Sequence, residues 1–213
     1  MINTILVEDD IYIQKHFIDR LSSEEDIKLV AAVRDAFEAE KLCSEYIDLV
    51  LMDVLTLHKH SGLAAGKRIK DAYPNVKVVI MTSLVDPEVL TKARSGCADS
   101  LWYKDHSVDE ILDVIRRTLK GEKVFPVSTP SVEMKKTMSD MFSPAQIEIL
   151  RSFIKGYTYK EIAAKFSLSV SGVRWHLDEM VRIGGFKNKE ELTTTAIENK
   201  LVVTTLVEKD DEE

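Results

Sequence analysis

The chain has 213 residues, a formal net charge of −7, 45% hydrophobic and 31% charged residues, and only 8 Gly and 5 Pro. That balance excludes a disordered or fibrous polymer, and the length suits two globular domains with real cores. No basic-then-apolar leader opens the chain, and no apolar run reaches the roughly 18–20 residues of a membrane span, so a cytoplasmic, non-membrane protein is expected.

The charge is uneven: residues 1–120 sum to −5, residues 121–142 are balanced, 143–207 carry +2 and 208–213 carry −4. The overall acidity therefore does not exclude a nucleic-acid face on the segment after residue 142. Cys43 and Cys97 are distant, lack CxxC spacing and read as buried reduced thiols.

Through the first 120 residues, apolar runs at 2–7, 27–33, 48–53, 76–81 and 99–103 alternate with segments of helical period. Nearly continuous apolar strands separated by helices predict an α/β doubly wound, five-stranded parallel sheet covered on both faces. Start signals agree. A helix is expected from near Gly62, Asp86-Pro87 supplies an N-cap and first-turn proline, and Ser107 with Glu110 forms a capping box.

Ligands of such sheets sit beyond the carboxyl ends of the strands. There the first run ends in Glu8, Asp9 and Asp10, the third in Asp53, the fourth in Thr82 and Ser83, and the fifth in Lys104. Crowded carboxylates need a cation, and hard oxygen donors suit Mg²⁺. An ammonium, a hydroxyl, a divalent cation and a carboxylate in an apolar seat are what phosphoryl transfer onto a carboxylate requires.

In these motifs residues 1–120 resemble the receiver domain of two-component systems, which has a flavodoxin-like fold. The resemblance implies that Asp53 accepts a phosphoryl group from a sensor histidine kinase. It implies too that Glu8, Asp9, Asp53 and the Leu55 carbonyl bind Mg²⁺, and that Thr82 and Lys104 contact the phosphoryl oxygens. The chain departs from the family in two places. The loop 53–62 lacks the usual proline and is one residue longer, with His58 and His60 read as solvated. Leu101 also stands where an aromatic that rotates on activation is usual, Trp102 pointing to the opposite face.

Residues 121–142, with two prolines, scattered hydroxyls and weak periodicity, read as a linker with a short helix around its Met and Lys residues. Residues 143–207 then read as an all-α, four-helix bundle. Ser143-Pro144 opens the first helix and Gly156 closes it, Thr158 with Glu161 caps the second, Ser169 the third, and Asn188 with Glu191 the fourth. Its expected core is Ile147, Leu150, Phe153, Ile154, Ile162, Ala163, Phe166, Val173, Leu177, Met180 and Leu192, and residues 208–213 form an acidic tail.

The stretch 159–180 reads as helix, tight turn, helix, and with FSPAQIEIL and GYTYKEIA it resembles the LuxR-type helix-turn-helix over about 142–202. The pairing with a receiver resembles the NarL/FixJ response regulators. It implies a phosphorylation-controlled regulator of promoter DNA, dimeric when active, with Ser171, Arg174, Trp175 and Asp178 facing DNA and Lys160 and Lys165 at phosphates. Asp178 replaces a commonly basic residue. The last helix and the apolar stretch 201–207 are the expected contact surface between copies. Two rival readings are a receiver-bearing protein-interaction module and a Mg²⁺-dependent aspartyl-phosphate phosphatase. The second is disfavoured by Leu55, where such enzymes carry a second Asp, so no enzyme is expected.

Overall fold

The computed structural model describes residues 1–104 and 108–204. The chain divides into two compact units between Ser128 and Thr129. The Ser107–Glu110 capping box, the acidic tail and residues 205–207 of the last apolar stretch lie wholly or partly outside the described residues.

In the first unit the elements are β1 (Ile2–Val7), α1 (Ile11–Ser22), β2 (Ile27–Val33), α2 (Ala36–Leu42), β3 (Leu49–Asp53), α3 (Gly62–Ala72), β4 (Lys77–Thr82), α4 (Pro87–Lys92), β5 (Ser100–Tyr103) and α5 (Val108–Leu119). The strand order is β2-β1-β3-β4-β5, and every pairing is parallel. The winding therefore reverses between β1 and β3, and the carboxyl ends of β1, β3, β4 and β5 line one edge around that reversal. All five residues of β3 are buried, as a strand covered by helices on both faces requires. One layer of the core joins Leu6, Leu51 and Met81 to Phe17, Ile111 and Ile115, and Trp102 meets the edge of Phe17 with ring centroids 6.0 Å apart. Asp10, Asp35, Ser61 and Asp86 cap the helices that follow them, each accepting from backbone amides of the first turn.

The chain after α5 does not leave the sheet at once. Val124 Nα donates to Ser100 Oγ at 3.0 Å, and Leu101 Nα donates to the Val124 carbonyl at 2.9 Å. The Arg94 guanidinium reaches the Pro126 carbonyl. The edge strand β5 thus has its exposed backbone partly covered.

The linker expectation for 121–142 needs correction, because residues 129–142 belong to the second unit. They form a short hairpin, β6 (Glu133–Met134) and β7 (Thr137–Met138), and a 3₁₀ turn Ser139–Met141 in place of the expected helix. Lys135 takes a left-handed φ of 65° at the hairpin turn, and Met134 and Phe142 enter the core. Two-residue strands carry no readable periodicity, which is why the pattern resembles a linker.

The bundle comprises α6 (Pro144–Ile154), α7 (Tyr159–Lys165), α8 (Val170–Gly184) and α9 (Lys189–Glu198). Ser143–Gln146 and Thr158–Glu161 are reciprocal capping boxes. Asn188 caps α9 through Glu191 Nα, while the Glu191 carboxylate turns to the Lys187 amide and Lys135 instead of closing a box. The expected apolar residues form the core, with Phe153, Ile154 and Phe166 only partly buried. Leu201 and Val202 are also core residues, each 1% exposed, so the stretch expected as a contact surface is, at those positions, interior. No helix among the described residues is long and apolar enough to cross a membrane.

Candidate functional site

At the carboxyl edge of the sheet, Glu8, Asp9 and Asp53 bring carboxylate oxygens within 4.8 Å of one another. Lys104, immediately after β5, closes the cluster: Nζ lies 2.5 Å from Glu8 Oε2 and 2.7 Å from Asp53 Oδ2. Glu8, Asp53 and Thr82 are buried. Burial pushes the Asp53 carboxyl up to about 7; Lys104 opposes this and the Glu8 charge reinforces it. Burial alone would lower the Lys104 ammonium, but Asp53 and Glu8 hold it above its ordinary value. Asp10 stands apart. It caps α1, and the Ile13 and Tyr12 amides keep its carboxyl below the usual range.

Local chemistry explains the placement. Asp53 is the last residue of β3, and its Oδ1 accepts from the Val54 amide at 2.7 Å, leaving Oδ2 toward Lys104. Gly62 begins α3 directly against this strand end: a Cβ there would lie 1.8 Å from the Asp53 carbonyl oxygen. Only glycine permits that approach. Thr82 ends β4, and its Oγ1 accepts from Leu84 Nα at 3.0 Å, which leaves its proton available. Leu55 bridges Ser61 in the turn after β3.

The altered loop has its own anchors. His58 and Lys59 both take left-handed φ, 59° and 63°, and His60 Nδ1 lies 2.6 Å from Asp35 Oδ1. Reading His60 as merely solvated is therefore incorrect. The loop is pinned to the start of α2, with Ala36 Nα donating to Thr56 Oγ1 and Leu57 Nα to the Arg34 carbonyl. Sequence reasoning also missed two supports of the acidic turn. Gln14 Nε2 donates to the Glu8 and Val33 carbonyls, and Arg34 Nε to the Asp9 carbonyl. Neither lies in a motif, so only the fold brings them there.

In the second unit α7, a turn through left-handed Ser167, and α8 form the helix-turn-helix. Along α8, Val173, Leu177, Met180 and Gly184 are buried, while Ser171, Arg174, Trp175 and Asp178 are exposed. The four residues expected to face DNA thus share one outward stripe. Trp175 is 59% exposed and touches only its neighbour His176 among the ring contacts described. Lys160 is exposed; Lys165 Nζ lies 3.3 Å from Ser152 Oγ and near the Tyr157 and Phe166 rings. Arg174 lies over the Tyr159 ring at 5.3 Å, and Lys189 pairs with Asp178 at 2.7 Å.

A five-stranded parallel sheet with an acid cluster and a lysine at its carboxyl edge, in one chain with a helix-turn-helix bundle, defines a signalling protein of the receiver-plus-output class. The response regulator receiver domain model matches residues 4–116. The oxygen regulatory protein NreC of Staphylococcus aureus is 29% identical over 93% of this chain and 98% of its own. Solved structures of similar fold include RcsB of Salmonella enterica serovar Typhimurium bound to promoter rprA, with 18% identity, TM-score 0.59, and 92% and 98% coverage of the two chains. Another, showing two RcsB dimers bound to two parallel DNAs, has 20% identity, TM-score 0.61 and the same coverage. The chain belongs to the response regulator receiver family.

Proposed function

We propose that the protein is a cytoplasmic transcription regulator in which phosphorylation of Asp53 by a sensor histidine kinase controls binding of a dimer to promoter DNA. The observation that carries this reading is the Asp53 carboxylate at the sheet edge, bridged by Lys104 to Glu8 and within reach of Asp9. The donor set is all hard oxygen, which fits Mg²⁺, and Glu8, Asp9, Asp53 and the Leu55 carbonyl would hold it. When bound, Mg²⁺ supplies positive charge to the transferring phosphoryl oxygens.

The chain's own residues do the rest. The Asp53 carboxylate forms the new P–O bond as the P–N bond of a phosphoimidazole breaks, and the imidazole leaves with the electron pair. The ammonium of Lys104, already beside Asp53, stabilises charge on the phosphoryl oxygens, and the Thr82 hydroxyl donates to one of them. Asp53→Ala should abolish Mg²⁺-dependent, hydroxylamine-labile labelling by a small phosphoryl donor while leaving the fold intact. Labelling of that variant at the parental level would refute the assignment.

For the second unit, support comes from the exposed α8 stripe and from DNA-bound relatives of the same fold. With only +2 on residues 143–207, one copy collects few phosphate contacts, which favours a dimer. Salt-dependent binding to promoter DNA is expected. If there is none at any salt concentration, a protein-interaction module replaces this reading.

A further inference from the structure

We propose that Asp178, held by Lys189, reads a cytosine by accepting a hydrogen bond from its exocyclic amine in the major groove. The inference rests on the reading of α8 as the helix that meets DNA. A carboxylate on that face is an electrostatic puzzle, since phosphates repel it, and the structure supplies a resolution from a different helix. Lys189, the first residue of α9, places Nζ 2.7 Å from Asp178 Oδ1. The lysine side chain is only 22% exposed, whereas that of Asp178 is 64% exposed. The charge is thus compensated from the protein side while the carboxylate still faces outward.

Nothing local to α9 calls for a lysine at this position. The amino end of a helix opposes a cation, and Glu190 and Glu191 follow as the dipole prefers. Burial disfavours the Lys189 charge, yet the hydrogen bond to Asp178 and the nearby Tyr159 keep its ammonium above the ordinary value. The Tyr159 ring lies 5.6 Å from Lys189 Nζ and 5.3 Å from the Arg174 guanidinium, so one α7 residue braces both cations. Arg174 and Asp178 are one helical turn apart on the exposed stripe.

The base edges decide what such a carboxylate can read. In the major groove cytosine offers its N4 amine, whereas guanine offers only acceptors and thymine an acceptor and a methyl group. Adenine sets an N7 acceptor beside its amine, which repels a second carboxylate oxygen. Cytosine is the match, with Arg174 one turn earlier suited to guanine. If the Asp178–Lys189 pair merely tied α8 to α9, removing it would change stability or overall affinity but not base preference.

The experiment selects binding sites from a randomised duplex pool with the full chain, pre-incubated with acetyl phosphate and Mg²⁺, as parent, Asp178→Asn and Lys189→Gln proteins. The parent should enrich a site with one cytosine whose replacement by thymine weakens binding roughly 5- to 150-fold. Asp178→Asn should keep the rest of the site and lose that cytosine, turning toward adenine. Lys189→Gln should retain the cytosine with reduced discrimination and an unchanged melting temperature. A parental site recovered unaltered by Asp178→Asn overturns this inference alone; a parent that enriches no sequence overturns it together with the DNA-binding reading.

Discussion

Replacing Asp53 by Asn should make the metal-free protein more stable. The ionised carboxylate is buried beside Glu8, and its pKa stands at about 7 against an ordinary 3.8, burial being the main cause. At roughly 1.4 kcal/mol for each tenfold change in proton affinity, that rise puts the cost of holding Asp53 ionised at no more than about 4 kcal/mol. Asn keeps the shape without the charge, so a gain of about 1–4 kcal/mol is expected above pH 7. The sign of the pH dependence follows from linkage. The folded state binds the Asp53 proton more tightly than the unfolded state, so the parent gains stability relative to the variant as pH falls from above 7 toward 4. The gap between the two proteins is therefore full at pH 8, narrows through pH 6 and closes near pH 4. Urea titrations in EDTA at several pH values measure it, with the buried Trp102 reporting on the sheet. A variant no more stable than the parent at pH 8, or a gap that does not depend on pH, would refute the reasoning.

Gly62→Ala should destabilise the first unit by about 3 kcal/mol or more, because the new Cβ meets backbone rather than a movable side chain, and it should also slow labelling of Asp53. A urea midpoint close to the parental one would show that the strand end and α3 separate easily. Leu101→Tyr should cost about 1–3 kcal/mol, since Leu101 is 1% exposed and its amide is tied to Val124, while leaving phosphoryl uptake intact. Denaturation and labelling of the same preparation check both halves of that expectation.

Much of this protein was legible in one dimension. Five apolar runs separated by helical periods imposed the parallel sheet, because strands covered on both faces are apolar throughout. The placement of Glu8, Asp53, Thr82 and Lys104 at strand ends then put them at one edge, since parallel strands point the same way. Ser143 and Thr158 announced their helices because capping is a contact between residues three apart. What remained hidden depended on residues far apart in sequence. The hairpin at 133–138 is held by the burial of Met134 rather than by its own two-residue strands. His60 finds Asp35 across 25 positions, and Leu201 and Val202 look like an exposed apolar tail until the bundle closes over them. Asp178 reads as a misplaced charge until α9 brings Lys189 to it. Periodicity and capping act over one or two turns and are written locally. Charge compensation and burial are properties of whichever surfaces the fold brings together, and those only the tertiary structure decides.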